Sequence, residues 1–197
     1  MEIAKTTYAK GEKNEHWYRV TFEHLGDQWL FDTLTYLIED GILPKNFTLA
    51  SLSANLGFYE KKAYDELKKL GYDIEFYLGD LEAQLEGRVS SYDKFYYSFI
   101  GKNASEVVLP NNKKADVILD SKGALWYVIK NKQDLIKLLK NYCNLLKDDD
   151  SILLIDRHKP SLLNIVSEAT KKWGKLYHFS EFSNYTKFNS VLKFIAP

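Results

Sequence analysis

The chain has 197 residues, 45% hydrophobic and 27% charged, which is typical of a folded domain with a substantial core. Its 27 basic and 27 acidic residues balance, whereas proteins that hold duplex nucleic acid usually carry a basic excess, so no duplex partner is expected. One cysteine excludes an intrachain disulfide. We see no signal segment in residues 1–13 and no run approaching the roughly 18 apolar residues that span a bilayer. We therefore expect a cytoplasmic protein without membrane contact.

The first 45 residues are predicted to form a helical extension packed on an α/β domain at 46–197, because apolar positions between residues 16 and 40 recur at helical spacing. The first half of the domain alternates strand and helix. Its predicted elements are a strand at 47–54, a helix at 60–70 and a strand at 73–78. A strand, loop, helix and strand within about 30 residues indicate a right-handed crossover and a parallel pair of strands.

The second half continues this alternation and then ends in two successive strands. Its predicted elements are strands at 95–100 and 117–119, a helix at 133–146, a strand at 151–155, a helix at 161–173, and strands at 176–182 and 188–195. The run at 151–155 is almost continuously apolar, as expected of a strand buried in a parallel sheet. The last two strands are joined by a Ser-Asn-Tyr-Thr turn and are typical of a hairpin.

This order of elements resembles the class I S-adenosylmethionine-dependent methyltransferases over residues 45–197. The segment ADVILDSKGALWYVIKNKQDLIKLLKNYCNLLKDDDSILLID is similar to the family's fourth strand, following helix and fifth strand, and GKNASEVVLPNNKKADVILD to the segment before them. The resemblance implies a Rossmann-like, seven-stranded, mostly parallel sheet with helices on both faces and a C-terminal antiparallel hairpin. It also implies S-adenosylmethionine as cofactor and methyl transfer to a small-molecule or protein acceptor.

The family's cofactor loop follows the first strand and carries an acid and spaced glycines, because glycine lets the backbone approach a ligand. In this sequence Ser51 stands at the position of the acid. Ser53 and Asn55 stand at two glycine positions, and Gly57 is retained. Small Ser and Asn side chains still permit the turn, so the resemblance implies a narrower and less acidic pocket.

Two further family positions concern the adenosine part of the cofactor. The acid that binds the ribose hydroxyls at the end of the second strand is Leu78 here. Asp80, two residues later, is the substitute acid, or else a turn residue beside Gly79. Asn103 occupies the position that contacts the adenine, where an amide can form hydrogen bonds but supplies no carboxylate.

Candidate catalytic residues follow the fourth and fifth strands, where open α/β sheets bind their ligands. Asp120 would orient or deprotonate an acceptor, and His158 would assist as a base near neutral pH. The alternative is a turn aspartate and a solvated basic loop. We find no HExxH, paired CxxC, Walker or GxSxG motif and predict no metal.

Three hypotheses for function stay open. The first is an active methyltransferase, which relies mainly on proximity and orientation. The second is a catalytically inactive binding or scaffold module of the same fold, which has lost cofactor binding and works as a homo-oligomer or in a partner complex. The third is another nucleotide-binding α/β protein.

Overall fold

The computed structural model describes residues 28–54, 57–80, 93–98, 103–120, 124, 131–148, 150–155, 176–178 and 192–194. The predicted helix at 161–173, residues 81–92 and the predicted helical pattern before residue 28 lie outside them. The helices with described bounds are α1 (Trp29–Glu39), α2 (Phe58–Lys69) and α3 (Lys132–Leu145). The strands are β1 (Asn46–Ser51), β2 (Asp73–Leu78), β3 (Phe95–Tyr97), β4 (Val117–Asp120), β5 (Ile152–Ile155), β6 (Leu176–His178) and β7 (Leu192–Phe194).

The described strands form one sheet in the order β3-β2-β1-β4-β5-β7-β6. Parallel pairs join β1 to β2 and β4, β2 to β3, and β4 to β5, which confirms the predicted parallel sheet for these five strands. At the far edge, β7 pairs antiparallel with both β5 and β6. The rest of the predicted ranges 176–182 and 188–195 lies outside the described residues.

Both faces of the sheet are covered, as predicted. One buried cluster joins alternate strand residues such as Leu49 and Val117 to α1 and α2. A second cluster joins the intervening residues, such as Ala50 and Ile118, to α3. Successive side chains of a strand point to opposite faces of the sheet, so neighbouring residues belong to different clusters. Because α1 packs against α2 in the first cluster, it helps to bury that face, while the domain division at residue 45 stays a prediction.

The loop after β1 differs from the sequence-based expectation. We predicted a strand over 47–54, but β1 ends at Ser51. The amide of Leu52 donates to the Leu119 carbonyl at 3.1 Å, and the amide of Ala54 donates to the Gly79 carbonyl at 2.9 Å. These two bonds direct the backbone across the ends of the neighbouring strands. Residues 52–54, which were predicted as the end of the strand, therefore belong to a loop.

Helix α2 begins at this loop. Gly57 precedes it with φ of 68°, a left-handed conformation that glycine adopts at little cost. Ala63, Tyr64 and Leu67 lie on its buried face. No helix in the described part of the chain is both long and apolar enough to cross a membrane.

Candidate functional site

The candidate site lies at the carboxyl ends of β1, β2 and β4. The strand register aligns Ser51 of β1 with Leu78 of β2 and with Leu119 of β4, so these three strands end at one edge. The strand order reverses between β1 and β4, because β2 follows β1 on one side and β4 lies on the other. Ligands of open α/β sheets bind at such a switch point, outside the carboxyl ends of the strands.

A buried hydrogen bond joins the end of β1 to the first turn of α2. The Ser51 hydroxyl donates to Glu60 Oε1 at 2.6 Å. Ser51 is fully buried, and Glu60 is 3% exposed. The amino-terminal end of α2 carries partial positive charge that favours a carboxylate in its first turn. The polar Ser51 side chain therefore adjoins an acid that comes from the following helix.

A second buried pair lies at the end of β4. Tyr142 of α3 donates its hydroxyl to Asp120 Oδ2 at 2.5 Å, and both residues are buried. Burial, with the adjacent Asp120 carboxylate, raises the pKa of the Tyr142 hydroxyl well above its usual value. Tyr142 therefore acts as a fixed donor that orients the carboxylate of Asp120.

The two pairs distinguish this edge from the rest of the described core. Among the described residues, Glu60 and Asp120 are the acidic side chains that are buried. Removing an ionised carboxylate from water costs several kcal/mol unless hydrogen bonds or cations compensate. Buried acids grouped at a ligand-binding edge are therefore a physical indication of a functional site.

Gly57 is enclosed on the side of β2 and β3. A Cβ atom added to Gly57 would lie 2.7 Å from Leu78 Cδ2 and closer still to the Tyr97 hydroxyl. Leu78 is fully buried and Tyr97 is partly buried. The retained glycine therefore allows close packing of the helix start against the ends of β2 and β3.

The structure gives each predicted site residue a place, except two. Ser51 and Asp120 are buried at the edge, and Ser53 lies in the turn after β1. Asp80 follows Gly79, whose amide and carbonyl bond to Ser51 and Ala54. Asp80 therefore stays next to the first loop as a partly buried acid.

Asn103 lies after β3, at the start of a short 3₁₀ turn. Its side-chain oxygen accepts from the amide and the hydroxyl of Ser105, each at 3.0 Å. The side chain therefore caps its own turn, a role that the sequence analysis did not assign. Asn55 and His158 lie outside the described residues.

Three residues of the site were missed by the sequence analysis: Glu60, Tyr97 and Tyr142. Glu60 and Tyr142 occur in predicted helices and their pairing with Ser51 and Asp120 spans 9 and 22 positions, respectively. An acid on the buried face of a predicted helix was the one available signal for Glu60. No group of three or more His, Cys, Asp or Glu side chains that could hold a metal occurs among the described residues.

Comparisons with known proteins agree with this fold. No protein-family model and no curated protein matches the chain by sequence. Among solved structures, the chain is similar to the N-methyltransferase NodS from Bradyrhizobium japonicum WM9 (TM-score 0.56, 10% identity, 87% of this chain and 99% of that one). It is also similar to magnesium protoporphyrin IX methyltransferase from Synechocystis PCC 6803 with bound S-adenosylhomocysteine (0.61, 12%, 96% and 97%). A third similar structure is the CMeT domain of citrinin polyketide synthase (0.66, 13%, 96% and 59%).

These likenesses show the fold alone, because the identities are 10–13%. The chain has the Rossmann-like α/β fold of S-adenosylmethionine-dependent methyltransferases. Its activity and its acceptor depend on the residues at the carboxyl edge of the sheet.

Proposed function

We propose that the chain is an S-adenosylmethionine-dependent methyltransferase that acts on a small-molecule or protein acceptor. The observation that carries this proposal is the pair of buried carboxylates, Glu60 and Asp120, at the carboxyl ends of β1 and β4. The similarity to methyltransferase structures supports the same edge as the ligand site.

The residues present suit a cationic cofactor. S-adenosylmethionine carries an ammonium group and a sulfonium centre. When bound, it would supply the methyl group of that sulfonium to a nucleophile. Glu60 and Asp120 provide negative charge at this edge, and the partly buried Asp80 adds a third acid beside the loop. Asp80 would bind the ribose hydroxyls, since the apolar Leu78 at the end of β2 has no polar atom for that purpose. Asn103 would contact the adenine from the turn after β3.

Asp120 would orient the methyl acceptor and take up its proton. Its carboxylate is held by the Tyr142 hydroxyl at the end of β4, and a fixed carboxylate can orient an acceptor hydroxyl or amine and take up its proton. His158 would assist as a base. Since methyl transfer depends largely on alignment of the reacting atoms, the rigid Asp120–Tyr142 pair fits a positioning role.

One observation favours the alternative, a module of the same fold without cofactor binding. Leu78 is fully buried where an acid would bind ribose, and the Tyr97 hydroxyl occupies the space that a side chain at Gly57 would need. If these side chains fill the adenosine part of the pocket, the chain would act through a protein partner or a second copy of itself.

Thermal unfolding in the presence of ligands tests the proposal. A ligand at about 100 times its Kd stabilises the folded state by about 2.7 kcal/mol, which corresponds to a rise in Tm of about 5–10 °C for a domain of this size. We expect S-adenosylmethionine and S-adenosylhomocysteine to raise the Tm, and ATP and NAD to leave it unchanged. No shift at millimolar S-adenosylhomocysteine would overturn the proposal in favour of the inactive module, and a shift with ATP or NAD alone would favour another nucleotide-binding protein.

A further inference from the structure

The missing acid of the first loop has a counterpart in the helix that follows. Ser51 replaces the acid expected at the end of β1, but its hydroxyl lies 2.6 Å from the Glu60 carboxylate. We propose that Glu60 takes over the role of that acid and binds the ammonium group of the cofactor's amino-acid part. This inference rests on the proposed function and adds a residue that the sequence comparison places outside the loop motif.

Ser51 and Glu60 are complementary in hydrogen bonding and in size. An acid at position 51 would place two carboxylates within hydrogen-bond distance of each other, and two such groups cannot both stay ionised without a large cost. The small serine avoids this repulsion and supplies a hydroxyl donor in its place. The lack of an acid at 51 and the buried acid at 60 are therefore two parts of a single arrangement.

Two features stabilise negative charge on Glu60 and oppose the cost of its burial. The Ser51 hydroxyl donates to it, and it lies in the first turn of α2, where the helix dipole stabilises negative charge. A carboxylate offers about four acceptor positions, and an ammonium group brings three donors. Glu60 can therefore accept from Ser51 and from a ligand ammonium at the same time.

The position of Glu60 fits this role. It comes three residues after Gly57, at the point where the loop after β1 becomes helix, and Ser51 ends β1 at the switch point. Ligands of this fold class approach that point. Because Asp80 and Asn103, after β2 and β3, are assigned above to the adenosine part, a carboxylate at the end of β1 would be left for the amino-acid part of the cofactor.

Calorimetric titration with two ligands isolates the contribution of the ammonium group to binding. One is S-adenosylhomocysteine, and the other is its deamino analogue, which keeps the adenosine, thioether and carboxylate. Glu60→Gln preserves the shape of the side chain and an acceptor for Ser51 but removes the charge. We expect this variant to bind S-adenosylhomocysteine at least about tenfold more weakly, as for loss of a charged hydrogen bond. Its affinity for the deamino analogue should stay within about twofold of that of the original chain.

Two further variants complete the test. Glu66→Gln is the matched control, because Glu66 lies on the same helix and pairs with Lys69 at the surface, and it should bind both ligands like the original chain. The double variant Ser51→Asp with Glu60→Gln moves the acid back to the strand and exchanges the two partners. It should recover the preference for S-adenosylhomocysteine over the deamino analogue to within about threefold.

The outcomes separate this inference from the proposed function. Equal loss of both ligands in Glu60→Gln, or no loss of either, would overturn the role of Glu60 while leaving the cofactor site in place. If the original chain prefers S-adenosylhomocysteine by less than about threefold, no carboxylate binds the ammonium and the inference is wrong, a result that needs no variant to fold. If the original chain binds neither ligand, the proposed function itself fails and the inference fails with it.

Discussion

Replacing Gly57 with alanine tests the packing at the start of α2. Gly57 has φ of 68°, and a side chain in the left-handed region costs about 1 kcal/mol. Its added Cβ would also press on Leu78 Cδ2 at 2.7 Å and on the Tyr97 hydroxyl, and overpacking of this kind costs about 1–3 kcal/mol. We therefore expect Gly57→Ala to lower the free energy of unfolding by about 2–4 kcal/mol.

Urea unfolding monitored by circular dichroism measures this loss. With a slope of about 2 kcal/mol per M, the midpoint should fall by about 1–2 M. Gly71→Ala is the control, because Gly71 has φ of 81° but nothing lies within 4 Å of an added Cβ. It should lose only the backbone contribution of about 1 kcal/mol.

A second substitution identifies the contact responsible. Tyr97→Phe removes the nearest atom, and the ring Cζ stays at 3.2 Å. The double variant Gly57→Ala with Tyr97→Phe should therefore be about 1 kcal/mol more stable than the sum of the single effects predicts. If Gly57→Ala costs no more than Gly71→Ala, Gly57 is needed only for its backbone conformation and the packing argument is wrong.

Two other predictions concern α3. Tyr142→Phe should lower the free energy of unfolding at pH 7 by about 1.5–3 kcal/mol, because the buried Asp120 carboxylate loses its donor. The raised pKa of Tyr142 also keeps its stabilisation intact below about pH 10 and removes it as pH rises further, since the unfolded chain then releases the proton first. Unfolding measured from pH 8 to 11 should therefore show a shallower decline in Tyr142→Phe, and parallel declines would contradict this. For Cys143, burial raises the pKa of the thiol from 9.0 to about 11, so alkylation by iodoacetamide at pH 8 should be about 100-fold slower in the folded chain than in guanidinium. A difference of less than about fivefold would show that the thiol is not protected.

The order of the sheet elements could be predicted from sequence because it depends on local periodicity. The strand at 73–78 was predicted with the bounds of β2, and the helices at 60–70 and 133–146 lie within two residues of α2 and α3. These segments have clear apolar spacing and clear ends, such as Gly71. The end of β1 was predicted three residues too late, because the bonds from Leu52 and Ala54 that end it go to Leu119 and Gly79 on other strands.

The candidate site could be predicted only in part. The sequence alone determined the alternation of elements and the departures from the family pattern, at Ser51, Ser53 and Asn55 in the first loop and at Leu78 in the second strand. It also placed Asp120 at the end of a strand, because the apolar run at 117–119 is followed there by an acidic residue. A sequence comparison shows that position 51 lacks an acid, but it does not show which other residue supplies one.

The tertiary structure decided which side chains meet. It placed Glu60 beside Ser51 and Tyr142 beside Asp120. Each pair joins a strand to a helix, and the two come together because the helices pack on the sheet. The sequence indicates the crossover itself, but it does not show which side chains meet across it. The loop that lacks an acid in sequence therefore has one in space, supplied by the first turn of the next helix.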